Sequence, residues 1–324
     1  MTDNNTNKTA LVTGATSGLG FEAAAQLAES GYSRVTITGR SVDKAEAART
    51  RLTARTGRDV FETLQMDLGK PGSVQIAATE LASRGQKIDF LLLNAGMVSG
   101  SDLVKTDEGI EITSASSLIG HHQLTMQLLE DSLLCDHARI VIAGSEAARG
   151  DVPTFNPVEL PAFAAEHYDG DLAAAAEGLM RYDGPLKYKP ATAYANAKLF
   201  VAYWSAELAR RLPKGMTVNA VSPGSAPDTN ADRNANFFMR RIMLPFFKIM
   251  PGMSAPVSVA AGRYLEASDY TEQVNGEFFA SAPKKMTGAL HRVELPHVQD
   301  TVSQTATWNA IVTVAGGVDY PVAA

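Results

Sequence analysis

Tyr194 and Lys198 stand at i and i+4 in the stretch ATAYANAKLF. The run AYANAKLFVAYWSAELARRL carries strong helix formers and no internal Gly or Pro, so it predicts a helix. Residues i and i+4 of a helix share a face, which would aim a phenol and an ammonium into one volume. Alone, the pair describes equally well a packed tyrosine beside a lysine whose stem lies on apolar surface. A second chemical signature lies near the start. TGATSGLG places Gly14, Gly18 and Gly20 between a β-like run, TALVTG (9–14), and a helical one, GFEAAAQLAESG (20–31). Glycines there let the backbone turn tightly and approach a pyrophosphate, while the helix N-terminus offers free N–H groups and a positive dipole end. Thr16 and Ser17 are candidate hydroxyl donors of that loop, and Leu19 completes it.

In such a turn, an acid about 20 residues further on usually holds a ribose 2′-OH. Here the next strand, RVTITGR (34–40), ends on Gly39 and Arg40 with no carboxylate. An arginine suits a 2′-phosphate through fork-like, charge-assisted hydrogen bonds, so NADP(H) is expected over NAD(H). Asp67, followed by Leu68, is placed to meet the adenine. Asn94, Ala95 and Gly96 end a further strand, where small residues leave room for a cofactor.

Positioning these residues takes a β–α–β rhythm. Helical runs at 20–31, 42–56 and 73–84 alternate with strand-like runs at 34–40, 59–68 and 88–96. The pattern predicts an α/β fold, a doubly wound parallel sheet with helices on both faces. GIEITSASSLIGHHQLTMQLLEDSLL reads as one long helix, ARIVIAG (138–144) as a buried strand, and MTVNAVSPG (216–224) as a strand with a Pro-Gly break. Residues 146–190, with Pro153, Pro157, Pro161, Pro185 and Pro190, read as an insertion holding one short helix, DLAAAAEGLM. The tail after 225 reads as irregular, with a Phe/Met-rich segment at 237–250. The expectation is one domain over residues 1–324 with two elaborations.

Composition excludes several classes. The 324 residues are 45% hydrophobic and 20% charged, with a net charge of −6, which argues against nucleic-acid binding. The single cysteine, Cys135, permits no intrachain disulfide and fits a reducing compartment. The polar start MTDNNTNKTA lacks a signal-like apolar run, and no stretch of 18 or more apolar residues occurs, so a cytoplasmic location is expected. His121 and His122 are adjacent on a helix and point about 100° apart, so no metal is expected.

Together, TGATSGLG, Asp67-Leu68, Asn94-Ala95-Gly96, IVIAGS ending at Ser145, Tyr194-x-x-x-Lys198 and the Ser-Pro-Gly at 222–224 occur in the order found in the short-chain dehydrogenases/reductases. Over residues 8–225 the sequence resembles that family. EGIEITSASSLIGHHQLT and the late Trp308 look like its retinol-dehydrogenase and protochlorophyllide-reductase branch. The resemblance implies a single Rossmann-type domain. It implies Tyr194 as general acid/base, with Lys198 lowering the phenol pKa and holding the nicotinamide ribose. Ser145 would donate to the substrate oxygen. Pro223 and Gly224 join the cofactor-binding set.

Two departures stand out. Ser117 occupies the position where the family usually has an asparagine that helps hold a water linking the lysine to solvent. The 146–190 insertion is expected either to cover the helix face that other members use for dimerisation, as in carbonyl-reductase-like members, or to wall the substrate pocket. A monomer or dimer is therefore expected. Beyond 225, Phe237, Phe238, Met239, Phe246, Phe247 and Met250 suggest an apolar lid for a bulky hydrophobic carbonyl or alcohol. Docking on a membrane, aided by Arg240, Arg241 and Lys248, is the alternative use of that segment. The alternative function is a catalytically weak NADP(H)-binding sensor or scaffold.

Overall fold

The parallel strands pair along their lengths and end at one edge of the sheet, and their order places the site. The computed structural model describes residues 7–226 and 254–319. In chain order the first half comprises β1 (Thr9–Val12), α1 (Gly18–Glu29), β2 (Arg34–Gly39), α2 (Val42–Thr56), β3 (Phe61–Gln65), α3 (Pro71–Arg84) and β4 (Ile88–Leu93). Then follow α4 (Ile112–Ser114), a π-helical turn (Ala115–Ile119), α5 (Gly120–Glu130), β5 (Leu134–Ala143) and a 3-10 turn (Glu146–Arg149). Next come α6 (Leu160–His167), α7 (Leu172–Arg181), α8 (Pro190–Ala209), β6 (Thr217–Val221), α9 (Val257–Ser268) and β7 (Phe278–Ala280). The chain closes with β8 (His291–Arg292), α10 (Pro296–Gln299) and α11 (Thr301–Val314).

The sheet order is β3-β2-β1-β4-β5-β6-β7-β8, parallel up to β7, with β8 antiparallel at the edge. The order reverses between β1 and β4, the crevice where doubly wound sheets take ligands. Apolar side chains leave both faces of the strands. Leu11, Leu91, Ile140 and Val218 join a core with α3, α5, α7, α8 and α11. Val12, Ile37, Leu92 and Val221 join a second with α1, α2 and α9. Such two-sided burial is what an all-parallel sheet requires.

Several boundaries differ from the sequence reading. The strand expected at 59–68 is only Phe61–Gln65. The long helix breaks twice. Its N-terminal part runs through the π-helical turn that carries Ser117. At its far end Asp131 closes α5, Ser132 takes φ +54°, and Leu134 pairs with Ile88 as the start of β5. The insertion holds two helices, α6 and α7, rather than one, and α7 packs on α8 and α11. The tail is ordered into α9, β7, β8, α10 and α11 rather than irregular. The Phe/Met-rich segment at 237–250 lies outside the described residues. Because α7, α11 and the sheet surround it, α8 is buried on nearly every side, from Ala193 to Leu208. No described helix is long and apolar enough to cross a membrane.

Candidate active site

The glycine turn closes over the end of β4. Gly14 has φ +65°, and a Cβ there would sit 2.9 Å from the Ala95 Cβ. A Cβ on Gly20 would fall 2.5 Å from Asn94 Nδ2 and 2.7 Å from the Gly14 carbonyl. Asn94 Nδ2 donates to the Thr13 carbonyl at 3.0 Å, and the Ala95 N–H donates to Thr13 Oγ1 at 3.0 Å. Hence Gly14, Gly20, Asn94 and Ala95 form one tight unit. The side chain of Ser17, the N-cap of α1, makes no capping bond, so the first-turn N–H groups stay available. Leu19 packs on the second core, and the buried Leu68 on the first.

Arg40 lies exposed just past β2, and among the described residues its guanidinium has no hydrogen bond or ion pair. Arg51, which sequence reasoning missed, reaches the turn from α2 and donates to the Thr16 carbonyl at 2.7 Å. Asp67 is half-buried, with Oδ1 accepting from the Gly69 N–H at 3.1 Å. A glycine cradle that side chains would fill and an open helix N-terminus together fit a dinucleotide, with the Arg40 guanidinium exposed beyond β2.

Deeper in the crevice, α8 brings Tyr194 and Lys198 to one face. Lys198 is buried, and its Nζ donates to the Ala143 carbonyl at the end of β5 at 2.6 Å. Burial pulls its pKa down to about 8. The same ammonium lies 5.7 Å from the centre of the Tyr194 ring. The expected lowering of the phenol pKa is absent in the protein alone. Burial raises it, the Ser145 hydrogen bond lowers it, and the Glu146 charge raises it. Burial is the largest of these effects, and the bond that the ammonium makes is to the Ala143 carbonyl. Ser145 follows β5, and its hydroxyl also accepts from the Ala147 N–H at 3.2 Å.

Gly96 lies between the two clusters, where a Cβ would sit 2.9 Å from Ser117 Oγ and 3.7 Å from Lys198 Nζ. Ser117 Oγ is buried without a hydrogen-bond partner, so a polar group or water is owed to it there. His121, one turn on, is fully buried. Its Nδ1 meets the Ser117 carbonyl at 3.2 Å and its Nε2 meets Thr13 Oγ1 at 2.9 Å. A ring with N–H at Nδ1 and a bare Nε2 satisfies both, and burial holds the pKa down to about 3, keeping it neutral. His122 points elsewhere, accepting at Nδ1 from Trp204 Nε1 at 3.1 Å. Pro223 and Gly224 follow β6 at the same end of the sheet, Gly224 with φ +79°. The insertion contributes Phe155, whose ring meets Tyr194 edge-on at 5.7 Å.

Thus the crevice gathers the glycine turn, Asn94 to Gly96, Ser117, Ser145, Tyr194, Lys198 and the Pro-Gly turn. It adds His121, Phe155 and Glu146, for which no local spacing gave a signal.

Known proteins share this arrangement of chain. A short chain dehydrogenase profile matches residues 8–157. The oxidoreductase fscI of Fusarium equiseti is 30% identical over 230 residues, covering 67% of this chain and 86% of that one. Human retinol dehydrogenase 13 is 27% identical over 284 residues, covering 86% of this chain and 77% of that one. A WW domain-containing oxidoreductase of Drosophila melanogaster is 31% identical over 254 residues, 76% of this chain. The chain spans only 56% of that protein's length and 66% of its Gallus gallus counterpart's. Among solved structures, a short chain dehydrogenase from Burkholderia cenocepacia in complex with NADP superposes with a TM-score of 0.60 at 24% identity, covering 86% of this chain and 96% of that one. The chain belongs to the short-chain dehydrogenase family.

Proposed function

We propose that the protein is an NADP(H)-dependent oxidoreductase acting on a carbonyl or secondary alcohol of a bulky apolar substrate, with the bound nicotinamide supplying or accepting the hydride. The observation that carries this reading is the convergence of Ser145, Tyr194 and Lys198 beside Gly96 at the open end of the parallel sheet. Tyr194 exchanges the proton with the substrate oxygen, and Ser145 orients that oxygen by hydrogen bonding. Lys198, already depressed to about 8, supplies positive charge behind the phenol. Ser117 Oγ takes a water beside Lys198 and relays protons to it. Arg40 favours the phosphorylated cofactor. Phe155 against Tyr194 supports an apolar substrate. A cytoplasmic location and a monomeric state, with α7 and α11 covering α8, belong to the same proposal. Following loss of NADPH absorbance against aldehydes, ketones and quinones of increasing apolar size tests it. Turnover by the wild type and none by Tyr194→Phe is expected.

One observation favours a second reading. With serine rather than asparagine at 117, and with the Lys198 ammonium spent on the Ala143 carbonyl, the site also suits a protein that binds NADP(H) with little turnover. Tight NADPH binding with no oxidation or reduction across that panel would select it.

A further inference from the structure

We propose that Glu146 is a positioning residue for this site: its buried carboxylate ties the 3-10 turn that follows Ser145 to the Ser222-Pro223-Gly224 turn in one frame. The inference rests on the hydride-transfer reading and extends it to a residue that does not touch the reacting atoms.

Glu146 is only 2% exposed, in the 3-10 turn directly after Ser145. One carboxylate oxygen accepts from the Ser222 hydroxyl at the end of β6. The other accepts from the N–H and the hydroxyl of Ser281, just past β7, at 3.1 and 2.7 Å. That same oxygen lies 3.6 Å from Arg263 Nη1 of α9. Arg263 in turn donates to the Ser222 carbonyl at 3.1 Å, to Ser281 Oγ at 3.0 Å and to the Gly288 carbonyl at 2.5 Å. Ser222 Oγ also accepts from the Gly224 N–H at 3.1 Å. Arg149, at the end of the Glu146 turn, donates to the Ser281 carbonyl and, at 2.9 Å, to that of Lys285. One carboxylate thus ties together the C-terminal ends of β5, β6 and β7 and the inner face of α9.

A buried ion pair adds little net stability over apolar packing, yet losing one partner is costly. Its position suits geometric control. It sits one residue from Ser145 and two from Gly224 through Ser222. The groups facing Tyr194 are Lys198 from α8, Ser145 and Glu146 from the 3-10 turn, and Tyr264 from α9 with Arg263 behind it. Among these, Glu146 carries the negative charge that opposes phenolate formation.

The test compares Glu146→Gln and Glu146→Asp with the wild type. Three readouts are taken: NADPH affinity, kcat against pH, and the titration of Tyr194 by NMR of ring-labelled tyrosine, assigned from the signal lost in Tyr194→Phe. Glu146→Gln keeps the shape and removes the charge, so the Tyr194 midpoint moves to lower pH by on the order of one unit. Glu146→Asp keeps the charge but falls short of Ser222 and Ser281. Its midpoint stays near the wild type while NADPH affinity falls several-fold, through the loosened Ser222-Pro223-Gly224 turn, and kcat falls about tenfold. If either fails to fold, Ser281→Ala removes a single donor and lowers kcat several-fold. Folded variants with wild-type kcat and an unmoved Tyr194 midpoint overturn the proposal. The NMR readout needs no turnover, so a wild type inactive on every substrate would sink the hydride-transfer reading while leaving the effect of Glu146 on Tyr194 measurable.

Discussion

Replacing Lys198 by methionine should stabilise the cofactor-free protein while abolishing its chemistry. Lys198 is 4% exposed, and burial lowers its pKa from 10.5 to about 8. A group depressed in the folded state costs stability while both states are protonated, and that cost fades as pH climbs from the folded pKa toward the unfolded one. The shift corresponds to about 3 kcal/mol at neutral pH. Methionine matches the stem and removes the charge, but it forfeits the bond to the Ala143 carbonyl, about 1 kcal/mol. The net gain is about 2 kcal/mol, a rise in Tm of about 3 °C for a chain of this length. At pH 9.5 most of the folded-state lysine is already neutral, and the gap should nearly close, because the wild type itself gains stability with rising pH. Thermal unfolding of both proteins without cofactor, at pH 7 and pH 9.5, reads this directly. A variant less stable at pH 7, or a gap that ignores pH, would refute the view that the fold bears a net-destabilising buried ammonium for the sake of the site.

Other predictions follow from single contacts. Gly20→Ala forces a Cβ onto Asn94 Nδ2 and the Gly14 carbonyl, so NADPH affinity by fluorescence titration should fall at least about tenfold, about 1.4 kcal/mol. His121→Leu removes the ring's bonds to Thr13 Oγ1 and the Ser117 carbonyl in the core, leaving Thr13 Oγ1 with only the Ala95 N–H and the Leu92 carbonyl, and should cost about 1–3 kcal/mol in chemical denaturation. Arg40→Ala should weaken NADPH about tenfold or more while leaving NADH affinity within a factor of two, as the loss of one charge-assisted contact implies. Equal losses for the two cofactors in parallel titrations would remove Arg40 from the 2′-phosphate.

What the sequence showed and what it hid divide along chain distance. Gly14, Gly18 and Gly20 were legible because a tight turn between strand and helix demands them locally. Tyr194 and Lys198 were legible because helical periodicity alone puts them on one face. The bridge from Thr13 through His121 to Ser117 was not, since its ends lie more than a hundred positions apart and meet only when β1 and α5 pack. Nor was the cluster of Glu146, Ser222, Arg263 and Ser281, which four elements contribute. The tail misled for a different reason. TVSQTATWNAIVTV is rich in β-branched residues of modest helix propensity, yet it forms α11 because Trp308, Ile311 and Val314 bury against the core. In the insertion, Leu160, Phe163 and Ala164 likewise make α6 through packing rather than through a long periodic run.

Hydride transfer itself is the most direct test. The protein would be given NADPH deuterated in turn at each of its two transferable positions together with an apolar ketone, and the product alcohol examined by mass spectrometry. Deuterium at the carbinol carbon from one label only, lost in Tyr194→Phe while NADPH binding persists, is the predicted result. Bound NADPH with no deuterium in any product from either label would contradict the account.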